Sequence, residues 1–181
     1  MVVDAAAGVV ERVATTETPR GEIATFERRT SSLPDGDCWM LVADGVADPG
    51  NLGTIIRSAE ASGASGVVVV AGTTDPFAPK AIRSSAGAVF HVALCEVASL
   101  DDVREGGFRV LGATSGGGTS FRDVDVSGRL ALVVGNEAHG LDPASPVDEW
   151  VTVPHRGRAE SLNVAMAAAV LCFEVAHRRS R

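Results

Sequence analysis

The chain has 181 residues, of which 45% are hydrophobic and 22% charged, and its formal net charge is −7. This length suits one domain of ordinary size, and the composition excludes a disordered or low-complexity chain. The longest nearly apolar stretch, residues 162–176, contains Asn163 and Glu174 and is too short and too polar to cross a bilayer. The first residues lack the basic and apolar segments of a signal peptide. We therefore expect a soluble, cytoplasmic protein with no membrane partner.

The net charge and the cysteine and histidine content limit the ways in which the protein could bind nucleic acids or metals, or form disulfides. The negative net charge argues against a protein that binds polyanions over its whole surface, so a nucleic acid would have to meet local basic patches. The three cysteines form no Cys-x-x-Cys or Cys/His cluster, and the four histidines have no metal-ligand spacing. We therefore expect neither a metal site nor a disulfide. Cys172 lies among apolar residues and is predicted to be buried in the core.

From Trp39 onward, strand and helix patterns alternate along the chain. The apolar run 39–43 predicts a buried strand, and a helix follows from about Asn51, where apolar residues recur at helical spacing to form one inward stripe: Leu52, Ile55, Ile56, Ala59 and Gly63. Later strands are predicted at 67–71, 91–95, 108–113, 130–134 and 150–153, with helices near 78–85, 99–105, 137–141 and 161–177. Five or six strands separated by helices predict an α/β fold, with a mostly parallel sheet and helices on both faces.

The last predicted helix is apolar nearly all round. Such a helix has to be covered on more than one side. In so small a domain, we expect the sheet to cover one face and another subunit to cover the other.

Three glycine-bearing loops follow predicted strands, at the edge where open α/β sheets bind their ligands. They cover residues 44–53, 135–140 and 154–163. None matches GxGxxG or the P-loop pattern, so a dinucleotide or nucleoside triphosphate site is not supported. The third loop places Arg156 and Arg158 on either side of Gly157 before a helix, which suits a phosphate or a carboxylate.

Each polar residue of these loops also has a purely structural explanation. Asn51 and Ser161 could be helix N-caps, and Gly53 a point of close packing. Arg57 could be a solvated residue paired with Glu60, and Glu137 a surface acid. Their coincidence in three loops nevertheless favours a functional site, because Arg57 lies off the apolar stripe and can face a ligand.

Three segments carry a family resemblance: DPGNLGTIIRSAEASG at 48–63, LALVVGNEAHGL at 130–141 and VPHRGRAESLNVAMAAAVLCFE at 153–174. They resemble the three motifs of the SPOUT superfamily, specifically of the SpoU (TrmH-like) branch of RNA ribose 2′-O-methyltransferases, over about residues 39–177. The resemblance implies a C-terminal trefoil knot, S-adenosylmethionine as cofactor and a homodimer that associates through the C-terminal helix. It also implies an RNA substrate, which is ribosomal RNA of the large subunit or else transfer RNA.

The resemblance also assigns roles to residues. Positions matching the catalytic set are Asn51, Arg57, Glu137, Ser161 and Asn163. Positions matching the cofactor-binding set are Gly135, Asn136, Val153, Pro154, Gly157 and Leu162. The basic residues expected to contact RNA are Lys80, Arg83, Arg156 and Arg158. The family's proposed base corresponds to Arg57, but a guanidinium is protonated at physiological pH and is a poor base, so we favour charge stabilisation by this residue.

The resemblance to the family is incomplete in the N-terminal region. Members of the family carry an RNA-binding domain of ribosomal-protein type before the methyltransferase domain. Residues 1–37 resemble only the last part of that domain and a linker, so we expect a remnant at 1–37 and a catalytic domain at 38–181.

Three other hypotheses about the function remain. They are a non-catalytic RNA-binding or ribosome-assembly factor, a SPOUT enzyme that methylates a base, and a nucleotide-dependent oxidoreductase.

Overall fold

A parallel sheet of seven strands organises the computed structural model, which describes Ala6, residues 8–14 and residues 24–180. The strands are β1 Trp39–Ala43, β2 Gly66–Val70, β3 Leu94–Val97, β4 Arg109–Thr114, β5 Thr119–Ser120, β6 Leu130–Val134 and β7 Glu149–Thr152. Their order across the sheet is β3-β2-β1-β6-β4-β7-β5, and every neighbouring pair is parallel. The predicted sheet is confirmed.

Helices cover both faces of this sheet, as the sequence predicts. The helices of the described residues are α1 Val9–Val13, α2 Pro49–Ala61, α3 Pro79–Ser84, α4 Leu100–Glu105 and α5 Val164–Arg179, with a 3-10 turn at Ala88–Phe90. The buried residues of α2 and α5 pack on one face of the sheet, and those of α4 on the other. Side chains alternate along β1, so Leu41 belongs to the core beneath α2 and α5, whereas Met40 and Val42 belong to the core beneath α4. The two cores hold the loops at the carboxyl edge of the sheet in fixed positions.

Strand order places a crevice between β1 and β6. The chain leaves β1 toward β2 on one side and leaves β6 toward β7 on the other, so the two loops diverge at this point. Ala43 pairs with Val134 in the register of these strands, and residues 44–48 therefore lie beside residues 135–140. Ligands of open α/β sheets bind at such a switch point.

Most predicted elements are confirmed, and four details of the prediction are wrong. The strand predicted at 91–95 begins at Leu94, because the 3-10 turn and the turn after it occupy residues 88–92. Residues 137–141 form no helix. They form a turn closed by backbone hydrogen bonds between Asn136 and Gly140, of 3.0 and 2.9 Å. The two-residue strand β5 was not predicted, and α5 begins at Val164 rather than Ser161.

Helix α5 is apolar on both sides, but only one side is covered within the chain. Its buried residues are Ala165, Ala168, Leu171, Cys172 and Val175, and burial raises the pKa of Cys172 to about 12. On the other side Met166, Val170 and Phe173 are 65%, 42% and 53% exposed. Covering of this side by a second subunit stays a prediction. The trefoil knot also stays a prediction, with which the strand order is compatible.

The predicted N-terminal remnant is described in part, since residues 1–5, 7 and 15–23 lie outside the described residues. Residues 24–37 form no helix or strand and pass along β3, where the Ser31 N–H donates to the Leu94 carbonyl at 2.6 Å. Phe26 stacks edge-on against Phe90, with ring centroids 4.9 Å apart. The domain boundary at 37/38 stays a prediction. No helix in the described ranges is long and apolar enough to span a membrane.

Candidate functional site

The Glu137 carboxylate joins the loop after β6 to the loop after β1. One oxygen, Oε2, accepts from the backbone N–H of Ala47 at 3.0 Å. The other, Oε1, accepts from the N–H of Asp48 and from the Asn51 side-chain amide, both at 3.0 Å. Both carboxylate oxygens thus accept hydrogen bonds from other residues of the chain. Glu137 is therefore more than a solvated surface acid, which was its purely structural explanation.

These contacts also set the charge of Glu137. Burial raises the pKa of Glu137, but the hydrogen bonds from Asn51, Ala47 and Asp48 outweigh that effect and hold it below its usual value. The group is therefore an ionised hydrogen-bond acceptor at neutral pH.

Asn51 and Asn163 extend the junction to the third loop. Because the Asn51 Nδ2 group donates to Glu137, its Oδ1 is left to accept from Asn163 Nδ2, at 3.2 Å. The Asn163 Oδ1 accepts from the N–H groups of Ala165 and Met166, at 2.9 and 3.3 Å, and so caps α5. A continuous chain of hydrogen bonds thus connects all three loops.

The helix-cap explanations for Asn51 and Ser161 are wrong. Asp48 caps α2, since its Oδ1 accepts from Asn51 N at 2.9 Å, and Asn163 caps α5. The second carboxylate oxygen of Asp48 lies 2.6 Å from Lys80 Nζ on α3. This hydrogen bond from Lys80 is the main reason why the pKa of Asp48 is lowered. Lys80 is thus held at the start of α2.

The close-packing explanation for Gly53 is confirmed. A Cβ atom at this position would lie 1.9 Å from Ser84 Oγ and 2.3 Å from the Ala81 carbonyl oxygen. Only a glycine lets α2 and α3 approach so closely. The packing fixes the start of α2 relative to Lys80.

Arg57 lies on the exposed side of α2, less than two turns beyond Asn51 and so about 9 Å farther along the helix axis. Among the described residues, no hydrogen bond or ion pair holds its side chain, and the structural alternative of a pair with Glu60 is wrong. Arg83 is exposed on α3, and Arg156 and Arg158 are exposed in the third loop. The guanidinium of Arg57 is therefore available to a ligand.

A cleft of about 270 Å³ opens between the ends of β4, β6 and β7 and the first turns of α5. Four of the residues assigned to cofactor binding line it: Gly135, Asn136, Val153 and Leu162. Glu137 and Ser161 also line it, whereas Pro154, Gly157, Asn51, Asn163 and Arg57 do not. A Cβ atom at Gly135 would lie 2.5 Å from the Gly140 carbonyl carbon, so a glycine is required where the turn folds back.

Sequence reasoning missed two residues of the cleft, His155 and Trp150. The His155 Nδ1 atom lies 2.5 Å from the Val153 carbonyl oxygen, and its Nε2 atom is buried without a hydrogen-bond partner. Trp150 packs on Gly112, where a Cβ atom would lie 3.1 Å from the indole ring. Both lie within or beside the third motif, but side-chain type alone did not distinguish them from core residues.

The residues of the cleft fit a flat heterocycle that carries hydrogen-bond donors. Apolar side chains form much of the wall, including Leu141, Val164 and Leu171, and the unpaired His155 nitrogen adds an acceptor. No cluster of three or more metal-ligating side chains occurs in residues 24–180 or in the other described positions. The adenine ring of S-adenosylmethionine, the cofactor that the family resemblance implies, is a heterocycle of this kind.

The sequence model of the SpoU rRNA Methylase family matches residues 39–173. The chain is 38% identical over 168 residues to the 23S rRNA (guanosine(2553)-2′-O)-methyltransferase RlmP of Bacillus subtilis (strain 168). The aligned region covers 90% of this chain and 67% of that protein.

Two solved structures are also similar. The AdoMet-bound rRNA methyltransferase from Sinorhizobium meliloti has a TM-score of 0.77 and 36% identity, covering 84% of this chain and 62% of that one. The SpoU methyltransferase AviRb from Streptomyces viridochromogenes, in complex with AdoMet, has a TM-score of 0.73 and 33% identity, covering 81% and 60%. The chain thus spans about two thirds of the curated relative and somewhat less of these two solved proteins.

Proposed function

The chain belongs to the SpoU rRNA methylase family, and we propose that it transfers a methyl group from S-adenosylmethionine to a ribose 2′-hydroxyl of RNA. The proposed substrate is ribosomal RNA of the large subunit, with transfer RNA as the alternative. The similarity to a 23S rRNA 2′-O-methyltransferase supports this substrate, and ribosomal RNA would be met in the cytoplasm. The observation that carries the proposal is the hydrogen-bonded chain Glu137–Asn51–Asn163, which unites the three motif loops beside one cleft.

The cleft is the proposed site of the methyl donor. Backbone groups of Gly135, Val153 and Leu162 would hold the donor, since Gly135 lines the cleft from the second loop and the other two line it at the start and the end of the third. Asn136 shapes its loop, because its amide donates to the Gly45 carbonyl and accepts from the N–H groups of Ala138 and His139. Pro154 and Gly157 do not line the cleft, and they would affect donor binding by determining the path of the backbone in the third loop. The donor supplies an electrophilic methyl carbon on a sulfonium.

The five proposed catalytic residues divide into two groups by what their side chains already contact. Glu137, Asn51 and Asn163 are bound to one another and to backbone N–H groups, so they position the loops. In the described structure, Arg57 and Ser161 have no such partners and are free to touch RNA. We therefore assign Glu137 a positioning role and not that of the acceptor of the 2′-hydroxyl proton, because its oxygens already accept three hydrogen bonds.

Arg57 is the proposed electrostatic group of the reaction. The 2′-hydroxyl would give its proton to water or to a neighbouring RNA phosphate, so negative charge develops on its oxygen. The new O–C bond would form as the bond between the methyl carbon and sulfur breaks, and S-adenosylhomocysteine would leave. A guanidinium can hold a neighbouring phosphate and that oxygen together, through its fork of N–H donors. Ser161, at the edge of the cleft, would orient the ribose.

The RNA would approach over the edge that carries the exposed basic residues. Arg156 and Arg158 lie at the third loop, which borders the cleft, while Arg83 and Lys80 lie on α3 beside the start of α2. Because Lys80 is paired with Asp48, its main effect would be on the position of α2. The second proposed partner is another copy of the chain, bound through the exposed residues Met166, Val170 and Phe173 of α5.

Donor binding and methyl transfer test the proposal together. Isothermal titration should show about one molecule of S-adenosylhomocysteine bound per chain, and no binding of NAD. Incubation with methyl-labelled donor and unmodified ribosomal RNA should then put label into the RNA. Binding of NAD in place of the adenosyl ligand would contradict the proposal, and so would donor binding without transfer to any RNA of the cell.

A further inference from the structure

We propose that His155 reads the purine ring of the methyl donor: its Nε2 atom accepts a hydrogen bond from the exocyclic 6-amino group. This inference rests on the proposed function, since it concerns the donor bound in the cleft. It assigns a specificity-determining side chain at a position where the family resemblance pointed only to neighbouring residues.

The hydrogen bonding of the ring fixes which nitrogen can accept. His155 Nδ1 lies 2.5 Å from the Val153 carbonyl oxygen. A carbonyl oxygen can only accept, so Nδ1 must carry the proton. In the neutral ring, Nε2 is then a bare acceptor.

That acceptor has no partner. Among the described residues, His155 Nε2 is the one buried side-chain nitrogen or oxygen atom that makes no hydrogen bond. Folded proteins pair nearly all such atoms, and an exception calls for an explanation such as a ligand that completes the pair. A hydrogen-bond donor on a molecule in the adjoining cleft would supply what is missing.

The other polar side chains of the cleft either make hydrogen bonds within the described part of the chain or are exposed to water. The amide of Asn136 bonds to backbone groups on both of its sides, and the oxygens of Glu137 accept three hydrogen bonds. His139 also lines the cleft, but it is exposed to water. His155 is thus the shielded acceptor that remains uncommitted.

The surroundings of His155 favour the purine over the rest of the donor. Val153, Leu141 and Leu171 line the cleft and give the apolar contact that a flat ring needs. The 6-amino group is the only N–H donor of an adenine ring. The hydroxyl and ammonium groups of the donor suit the exposed polar residues that also line the cleft, Ser115 and Ser161.

The test compares two ligands and three variants by isothermal titration. The ligands are S-adenosylhomocysteine and S-inosylhomocysteine, in which a 6-oxo group replaces the amine. His155→Leu removes the acceptor at similar volume, and His155→Gln offers an amide oxygen in its place. His91→Ala is the control, because His91 is an exposed histidine away from the cleft. Trp150, which lines the same cleft, gives an independent fluorescence signal.

We expect the unmodified chain to bind the adenosyl ligand about tenfold more tightly than the inosyl ligand, a difference of about 1.4 kcal/mol. His155→Leu should bind the two ligands within about twofold of each other, chiefly because adenosyl binding weakens about tenfold. His155→Gln should restore part of the ratio, and His91→Ala should keep all of it. The melting temperature of His155→Leu should change by only about 4 °C or less, because removal of the unpaired buried Nε2 offsets the loss of the Nδ1 hydrogen bond to Val153.

Two results would overturn the inference. They are equal binding of both ligands by the unmodified chain, and an unchanged ratio in His155→Leu, including the case in which both ligands bind more weakly by the same factor. If His155→Leu does not fold, His155→Gln decides: a ratio below that of the unmodified chain supports the inference, and an unchanged ratio overturns it. Failure of the unmodified chain to bind either ligand would instead contradict the proposed function itself.

Discussion

Replacing Glu137 with glutamine should weaken the junction between the first two motif loops. The carboxylate accepts hydrogen bonds from Ala47, Asp48 and Asn51, each at 3.0 Å. In Glu137→Gln, the single amide oxygen can stay opposite Asp48 and Asn51, but the NH₂ group then faces the N–H of Ala47. One hydrogen bond is lost, and two donors oppose each other.

The magnitude follows from the strength and exposure of these contacts. A hydrogen bond to a charged group contributes about 1.5–3 kcal/mol, but water screens it at an exposed side chain such as Glu137. We therefore expect the free energy of unfolding at pH 7 to fall by about 1–2 kcal/mol, and the melting temperature by about 2–8 °C. Methyl transfer should also fall, because Asn51 and Asn163 lose their anchor.

The destabilisation should depend on pH. The hydrogen bonds hold the pKa of Glu137 below its usual 4.5 despite the opposing effect of burial. A carboxylate of this kind stabilises the fold above the pKa of the unfolded chain, and the contribution is lost as pH falls through the lower folded value. The difference between the parent and Glu137→Gln should therefore shrink below about pH 4.5.

Urea unfolding at several pH values, followed by tryptophan fluorescence, measures this difference. Glu60→Gln is the matched control, because Glu60 is an exposed glutamate of α2 that contacts none of the three loops through a hydrogen bond or ion pair in the described structure. Equal stability of Glu137→Gln and the parent at pH 7 would refute the reasoning. So would a difference that keeps its full size below pH 4.

Three further changes have distinct expected results. Arg57→Ala should lower methyl transfer to RNA about 10²-fold, while donor affinity and melting temperature are retained. Arg57→Lys should restore little of the activity. Methyl transfer by Arg57→Ala at the parental rate would contradict the electrostatic role. Gly53→Ala should cost about 1–3 kcal/mol in urea unfolding, because its Cβ would lie 1.9 Å from Ser84 Oγ. Phe173→Asp should yield a folded monomer by light scattering where the parent is a dimer, because Phe173 is 53% exposed in one chain; a parent that is monomeric would contradict the proposed α5 interface.

The strands were predictable because parallel strands are continuous apolar runs. The predictions at 39–43 and 130–134 match β1 and β6 residue for residue, and others are shifted by one residue. The two-residue β5 has no such run and owes its existence to pairing with β7. Residues 137–141 were predicted to be helical, but they form a turn. Backbone hydrogen bonds between Asn136 and Gly140 close this turn, and Gly140 adopts a φ of +69°, which the periodicity of the sequence does not reveal.

The site was predictable as a set of loops, and the contacts within it were not. Asn51 and Glu137 are 86 residues apart, and they meet because β6 inserts beside β1 in the sheet. The roles of Asp48 and Asn163 as caps follow from where α2 and α5 begin, which sequence places only within a few residues. The unpaired nitrogen of His155 depends on how one loop folds over itself, and no spacing in the sequence reveals it.

The most direct measurement is the identity of the nucleoside that the chain produces. Ribosomal RNA is incubated with the protein and S-adenosylmethionine, digested to nucleosides and separated by mass spectrometry, with Arg57→Ala in parallel. We expect a single new 2′-O-methylnucleoside, strongly reduced with the variant. A nucleoside methylated on its base, or no new methylnucleoside from ribosomal or transfer RNA, would contradict the proposed function.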